Sequence, residues 1–218
     1  MDDTLETISQ RMIERYSARY HALGYDVRTL GWGTVEQQEY RLLQTLSCAV
    51  DFKGRTVVDI GCGFGDYYKM LKTRQMPIAS YLGYDLNPDL VAAAQEHWKS
   101  ESNVSFEVKN IVGATENTMP VADIGLMIGV LNLHLKETFD NYRYSELAIR
   151  NAYALVREVL IVDFLSTHRT PEYPAEDFVF YHDPSVMLAL ALTLSPRVVL
   201  KHDYRPIPQK EFMLFIYK

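Results

Sequence analysis

The sequence predicts a three-layer α/β domain: a seven-stranded, mostly parallel sheet that ends in an antiparallel C-terminal hairpin, with a helical cap at the N-terminus. Three observations predict it. From Arg55 onward, short apolar runs alternate with stretches of helical period, the order in which strands feed parallel neighbours through covering helices. The first fifty residues contain no strand-like run. The last two apolar runs, Arg197 to Lys201 and Phe212 to Tyr217, have no helix between them, and a connection so short cannot make a parallel crossover. Residues 1–50 are therefore expected to be a cap belonging to the same domain as residues 51–218.

Within the cap, Leu5, Ile8, Met12, Ile13, Tyr16 and Tyr20 recur at helical spacing. Gly31-Trp32-Gly33 breaks the pattern. Thr34 with Gln37 three residues on has capping-box spacing and opens a second helix carrying Tyr40, Leu42, Leu43 and Leu46. Strands are then expected at 56–61, 81–86, 104–110, 122–129, 157–165, 197–204 and 211–217. Helices are expected at 64–75, 88–99, 138–156 and 184–194. The longest connection without an element, 166–182, ends in Phe178, Phe180 and Tyr181, and its length marks it as a candidate lid.

Composition narrows the function. A chain of 218 residues is one generous domain. Its net charge is -6 and its pI about 5.5, with Lys and Arg scattered singly, so no footprint for a phosphate backbone is expected and nucleic acid is excluded as a partner. Cys48 and Cys62 have no metal-ligand spacing and no disulfide framework, which fits a reducing cytoplasm. The acidic start Met1-Asp2-Asp3 does not resemble a signal peptide. The most apolar windows, near 124–135 and 187–194, fall short of the ~20 residues that span a bilayer, so no membrane partner is expected. No feature of the sequence indicates an oligomeric state.

Val57-Val58-Asp59-Ile60-Gly61-Cys62-Gly63-Phe64-Gly65-Asp66 reads as a buried strand, a glycine-rich turn and the start of a helix. Glycine lets such a turn approach a ligand without a Cβ in the way. Asp85 ends the next strand, about 20 residues past Gly65, where a carboxylate can accept both ribose hydroxyls. A dinucleotide is disfavoured, because its fingerprint started at Gly61 would need glycine where this chain has Asp66, and Asp66 would face a pyrophosphate. S-adenosylmethionine, with a sulfonium, an ammonium and one carboxylate, suits a site edged by Asp59, Asp66 and Asp85.

These residues resemble the class I S-adenosylmethionine-dependent methyltransferases, whose acidic-x-Gly-x-Gly-x-Gly motif is matched by Asp59 to Gly65. The helix order and closing hairpin extend the likeness over nearly the whole chain. Gly31-Trp32-Gly33 with Gln37-Gln38, and Pro196 to Leu200 with His202-Asp203-Tyr204, resemble a small bacterial group within it. The resemblance implies a Rossmann-like fold and S-adenosyl-L-methionine as cofactor. By position, Gly61, Gly63 and Gly65 would line the methionine and ribose portion, Asp85 would hold the ribose, and Leu86 would flank the adenine. Asn110, where the family often has Asp, would offer its amide oxygen to the adenine amino group, with Ile111 beside it. Gly129, in Ile128 to Asn132, would pass beside the sulfonium. Asp59, Gln38 and Trp32 complete the expected cofactor set, Trp32 because a cation attracts an aromatic face.

For catalysis the candidates are Asn132, which can orient a nucleophile without burying a charge, and His168 and Tyr181 in the candidate lid, histidine being suited to proton removal near neutral pH. His134 and His182 share that suitability. The paired acidic motif of magnesium-dependent catechol enzymes is missing, so no metal is expected. The expected function is methyl transfer to a small-molecule substrate. Two alternatives keep the cofactor: ring closure of its own amino acid moiety to azetidine-2-carboxylate with release of methylthioadenosine, and a non-catalytic binding module.

Overall fold

The computed structural model describes residues 3–113, 119–205 and 210–218. In chain order its elements are α1 (Asp3–Leu23), α2 (Val35–Gln44), β1 (Thr56–Ile60), α3 (Asp66–Thr73), β2 (Ser80–Asp85), α4 (Pro88–Trp98), β3 (Val104–Val108), β4 (Ala122–Met127), α5 (Asn141–Ala154), β5 (Val156–Leu165), α6 (Pro184–Leu194), β6 (Val198–Lys201) and β7 (Glu211–Tyr217). One sheet contains all seven strands, in the order β3-β2-β1-β4-β5-β7-β6. β1 to β5 are parallel. β7 lies between β5 and β6 and runs antiparallel to both, so the expected hairpin does form, with its second strand on the inside.

Period-two alternation sends successive side chains to opposite faces of the sheet. In β5, Leu160 and Val162 join one core cluster with α1, α5 and α6, while Val159 and Ile161 join the other with α3 and α4. Such strands must be apolar on both sides, which is why they read as near-continuous apolar runs.

Element ends fall where the chain cannot continue. α3 starts at Asp66 because Gly65, at φ 80°, is left-handed. α5 starts at Asn141, since a single 3-10 turn at Lys136–Thr138 precedes it and Phe139 is extended. Thr34 accepts the Gln37 N–H at 3.2 Å, as the capping spacing implied. Asn87 caps α4 by accepting from the N–H groups of Asp89 and Leu90, with Pro88 in the first turn.

The strand order reverses direction between β1 and β4, and open α/β sheets bind ligands at such a switch, beyond the carboxyl ends of the strands. α1 is tied over this point. The Asn87 side-chain NH2 donates to Ile13 O and Ser17 Oγ, each at 2.9 Å, and Asn110 donates to Ser9 Oγ at 2.9 Å. Among the described residues, no helix is long and apolar enough to cross a membrane.

Asn87 therefore caps one helix and anchors another. Asn87→Ala should cost about 0.5–2 kcal/mol for the cap alone, and Tm should fall by about 2–4 °C per kcal/mol. Hydrogen exchange should accelerate in α1 as well as in the first turn of α4. Unchanged exchange in α1 would show that the helix is held by its other contacts.

Candidate active site

The turn after β1 is built by backbone that only glycine adopts readily. Gly61 and Gly63 have φ of 76° and 52°. A Cβ at Gly61 would lie 2.5 Å from Val130 Cγ2, and one at Gly63 would lie 2.8 Å from Leu30. The turn is held from β2. Tyr84 O accepts from the N–H groups of Gly61 and Cys62, at 2.7 and 3.0 Å. Asp85 Oδ2 accepts from the Gly63 N–H at 2.9 Å, and its Oδ1 from the Asn87 N–H at 2.8 Å.

Around this turn a cleft opens at the carboxyl ends of the strands. Asp59, Gly61, Gly63, Asp85, Leu86, Asn110, Ile111, Gly129, Trp32 and Gln38 all line it. Gly65 does not. Its Cβ position faces Trp98 Nε1 at 2.7 Å and Phe106 at 2.9 Å, so this motif glycine serves helix-to-sheet packing rather than the ligand wall. Asn110 borders the cleft, but its amide oxygen already accepts from Val112 N and Gly113 N. With both lone pairs in that turn, it shapes the wall instead of offering the acceptor expected for an adenine amino group. Met12, Ile13 and Tyr16 of α1 line the cleft too. Their helical spacing was legible as a packing stripe, and only the docking of α1 turns one edge of it toward the cleft.

The cleft is acidic. Asp59 is buried and accepts a hydrogen bond from the Tyr81 hydroxyl. Burial pushes its carboxyl up to about 7, with Asp85 and Asp66 adding to the rise and the Tyr81 hydrogen bond opposing it. Burial also raises Asp85, against the pull of the Asn87 and Gly63 N–H groups. Asp66 is held from two sides, by Gln38 Nε2 at 2.9 Å and the Tyr25 hydroxyl at 3.3 Å. Cys62, buried among these carboxylates, has its thiol pushed well above the ordinary range. Lys109, also in the lining, donates to the Tyr84 hydroxyl at 3.2 Å. Three carboxylates around one lysine favour a cationic ligand.

Trp32 separates this cleft from a second cavity. A Cβ at Gly129 would meet the Trp32 ring at 3.0 Å, so a glycine here lets the indole lie flush against the end of β4. The Gly129 N–H donates to Asp163 Oδ1 at 2.5 Å. The Arg41 guanidinium carbon sits 4.3 Å from the Trp32 ring centre, and Arg41 is ion-paired with Glu211 and lies 3.6 Å from Asp163. Tyr16, Leu30, Trp32, Gly129 and Val130 border both cavities, and the second is closed by Asn132, Leu133, Leu165 and residues 176, 178 and 179.

Of the expected catalytic residues, only Asn132 borders either cavity. Its oxygen accepts from the Leu165 N–H at 3.2 Å, which leaves its NH2 as the group to meet a ligand. His168 is exposed beside His202, their ring centres 5.7 Å apart. The Tyr181 hydroxyl accepts from the Glu176 N–H at 3.2 Å and its ring packs beneath Arg169. The reason is the path of the connection after β5. Backbone bonds from His134 N to Phe178 O and from Phe180 N to Asn132 O fix it on the segment after β4, so residues 176, 178 and 179 reach the cavity while 168 and 181 lie outside it. His182 is fully buried, its Nε2 against Ser145 Oγ at 2.9 Å and its ring among Phe164, Phe180 and Tyr142. Burial pushes its pKa down to about 3, which makes it a neutral core residue.

Residues 57–157 match a methyltransferase domain family. No curated protein matches the chain in sequence. Among solved structures, magnesium protoporphyrin IX methyltransferase from Synechocystis PCC 6803 with bound SAH is similar at a TM-score of 0.65 and 14% identity, with 100% of each chain covered. The PH0226 protein from Pyrococcus horikoshii OT3 is similar at 0.62 and 16%, covering 91% of this chain and 98% of that one. The [4+2]-cyclase SpnF is similar at 0.56 and 14%, covering 76% and 60%. At such identities the likeness is one of fold.

The raised Asp59 carboxyl makes stability depend on pH. Its ordinary pKa is 3.8 and its folded value is about 7, so between these the folded protein holds a proton that the unfolded chain has lost. Its contribution therefore falls as pH rises from about 4 to 7 and is level above that. Urea unfolding of the wild type and of Asp59→Asn from pH 5 to 8 should show the difference moving against the wild type as pH rises, then flattening. A constant difference would mean that Asp59 titrates as an ordinary carboxylate.

Proposed function

We propose that the chain is a class I S-adenosylmethionine-dependent methyltransferase that transfers a methyl group to a small-molecule acceptor without a metal, a reading supported by the methyltransferase domain family that residues 57–157 match and by the fold it shares with solved methyltransferases. The observation that carries the reading is the pair of cavities that meet at Trp32 and Gly129. One is acidic and suits a cationic cofactor; the other adjoins it where an acceptor would need to lie. In this reading residues 1–50 are a cap of the same domain.

The residues present fit S-adenosylmethionine. A carboxylate has about four acceptor sites, and Asp85 meets the Gly63 and Asn87 N–H groups on separate oxygens and the Leu86 N–H as well, which leaves acceptor capacity for a ribose hydroxyl. Asp59 suits the ammonium, Leu86 and Ile111 present apolar surface to the adenine, and Gly61 and Gly63 keep side chains out of the way. The cofactor supplies a methyl group activated by its sulfonium. The chain's own contribution is positional. Trp32 and Tyr16 cover the junction of the two cavities, and the Asn132 NH2 orients the acceptor. Transfer to an acceptor held by these residues would leave S-adenosylhomocysteine and release the acceptor's proton. Alignment and exclusion of water are then the main sources of rate.

Calorimetry should show binding of S-adenosylmethionine and S-adenosylhomocysteine and none of NAD. Asp85→Asn should weaken both by at least tenfold, about 1.4 kcal/mol. Incubation with S-adenosylmethionine and small-molecule extract should yield S-adenosylhomocysteine. Methylthioadenosine formed without any acceptor would replace methyl transfer by cyclisation of the cofactor, and tight binding with neither product would make the protein a binding module.

A further inference from the structure

The second cavity carries charge opposite to the first. α1 places Arg15 and Arg19 four residues apart, on neighbouring turns of one face, and both border it. Arg41 borders it too, but is committed to Glu211 and Asp163. Among the described residues, neither Arg15 nor Arg19 has a carboxylate oxygen within the 4 Å of an ion pair. The Arg15 guanidinium lies 5.5 Å from the Phe178 ring centre, a contact that places it without neutralising it. Arg19 Nη1 lies 3.8 Å from where a Cβ on Gly31 would stand, beside Trp32. The one carboxylate among the described lining residues, Glu176, lies on the connection after β5, two residues from the Phe178 that Arg15 packs against, so the lining carries more cationic than anionic groups. In a chain of net charge -6, two guanidinium groups facing one cavity are a local feature rather than spill-over from the whole surface. The lining also has an apolar part, with Leu30, Leu133 and Leu165.

We propose that the acceptor is an organic anion, with a carboxylate or phosphate held by Arg15 and Arg19 and an apolar body lying toward Trp32 and Leu165. The inference rests on the methyl-transfer reading and names its substrate class. A guanidinium presents paired N–H donors that match a carboxylate or phosphate edge. The charge pattern also sorts the two ligands: the acidic cleft repels the acceptor, and the arginines repel a sulfonium. Held by its anionic end on the α1 side, the acceptor has its other end directed to the Trp32 and Gly129 boundary, near the Asn132 NH2.

The test uses the full chain, with and without saturating S-adenosylhomocysteine, titrated with phenyl phosphate, benzoate and neutral benzamide. At least one anion should bind tenfold or more tighter than benzamide, and which anion leads identifies the head group. Arg15→Gln with Arg19→Gln should remove at least tenfold of that anion affinity while S-adenosylhomocysteine binding stays within twofold, and the corresponding double lysine variant should recover part of it. Benzamide binding as tightly as both anions, or anion binding unchanged in the double glutamine variant, would overturn the proposal. Failure of S-adenosylhomocysteine to bind would instead overturn the cofactor reading, and the anion preference would still be measured in the ligand-free protein.

Discussion

The Asp85 carboxylate joins the parts of the chain that make the cleft. It stands at the end of β2, accepts one N–H from the glycine turn after β1 and another from the residue that caps α4. That capping residue, Asn87, in turn holds two atoms of α1. Two successive fixed points thus set the glycine turn, a helix start and the cap relative to one another. A half-buried carboxylate without a cationic partner is costly unless hydrogen bonds satisfy it. Here the backbone donors oppose the desolvation that raises its pKa, and the fold places this acceptor at the edge of the cleft.

Behind the boundary of the two cavities lies a second polar arrangement. Arg41, Asp163 and Glu211 are all buried, and they come from α2, β5 and β7. The planar guanidinium faces Trp32, pairs with Glu211 and stands near Asp163, which itself accepts from the Gly129 N–H. Burial raises the Asp163 carboxyl and Arg41 pulls it back. Taking Arg41 away would leave two carboxylates buried without their cation, the situation in which breaking such a cluster is strongly destabilising. The indole is therefore fixed in front by Gly129 and backed by a charge network.

Most of the fold was legible because its signals are local. Period-two and helical patterns set the strands and helices, and the short link between Val198–Lys201 and Glu211–Tyr217 set their antiparallel pairing. Asp85 was legible because its spacing from the glycine turn is itself local. What escaped depends on distant pairing. Arg41 and Glu211 are 170 residues apart, and nothing near either announces the other. The connection 166–182 was recognisable by its length, yet which of its side chains reach the cavity depends on a bridge between Leu133 and Val179. His168 and Tyr181 fail as cavity residues for that reason. Gly65 shows a different limit: a motif fixes a backbone conformation, and the same conformation serves ligand approach at Gly63 and close packing against Trp98 at Gly65.

α1 gives the two cavities a common wall. Ser9, Ile13 and Ser17, each four residues apart, are hydrogen-bonded to Asn110 and Asn87 at the strand ends. At about 100° per residue, Met12 and Tyr16 lie next around the helix and line the acidic cleft, and Arg15 and Arg19 follow, lining the second cavity. The helix thus presents anchor residues, acidic-cleft residues and arginines of the second cavity in angular order. Because the same three anchors position both sets, a displacement of α1 moves a wall of each cavity at once. Trp32 and Gly129 make the boundary from the other side, so the distance across the junction is set by elements that are themselves tied to β2, β4 and β5. The proposed methyl transfer, which depends on alignment between two ligands, would draw that shared restraint from the N-terminal helix.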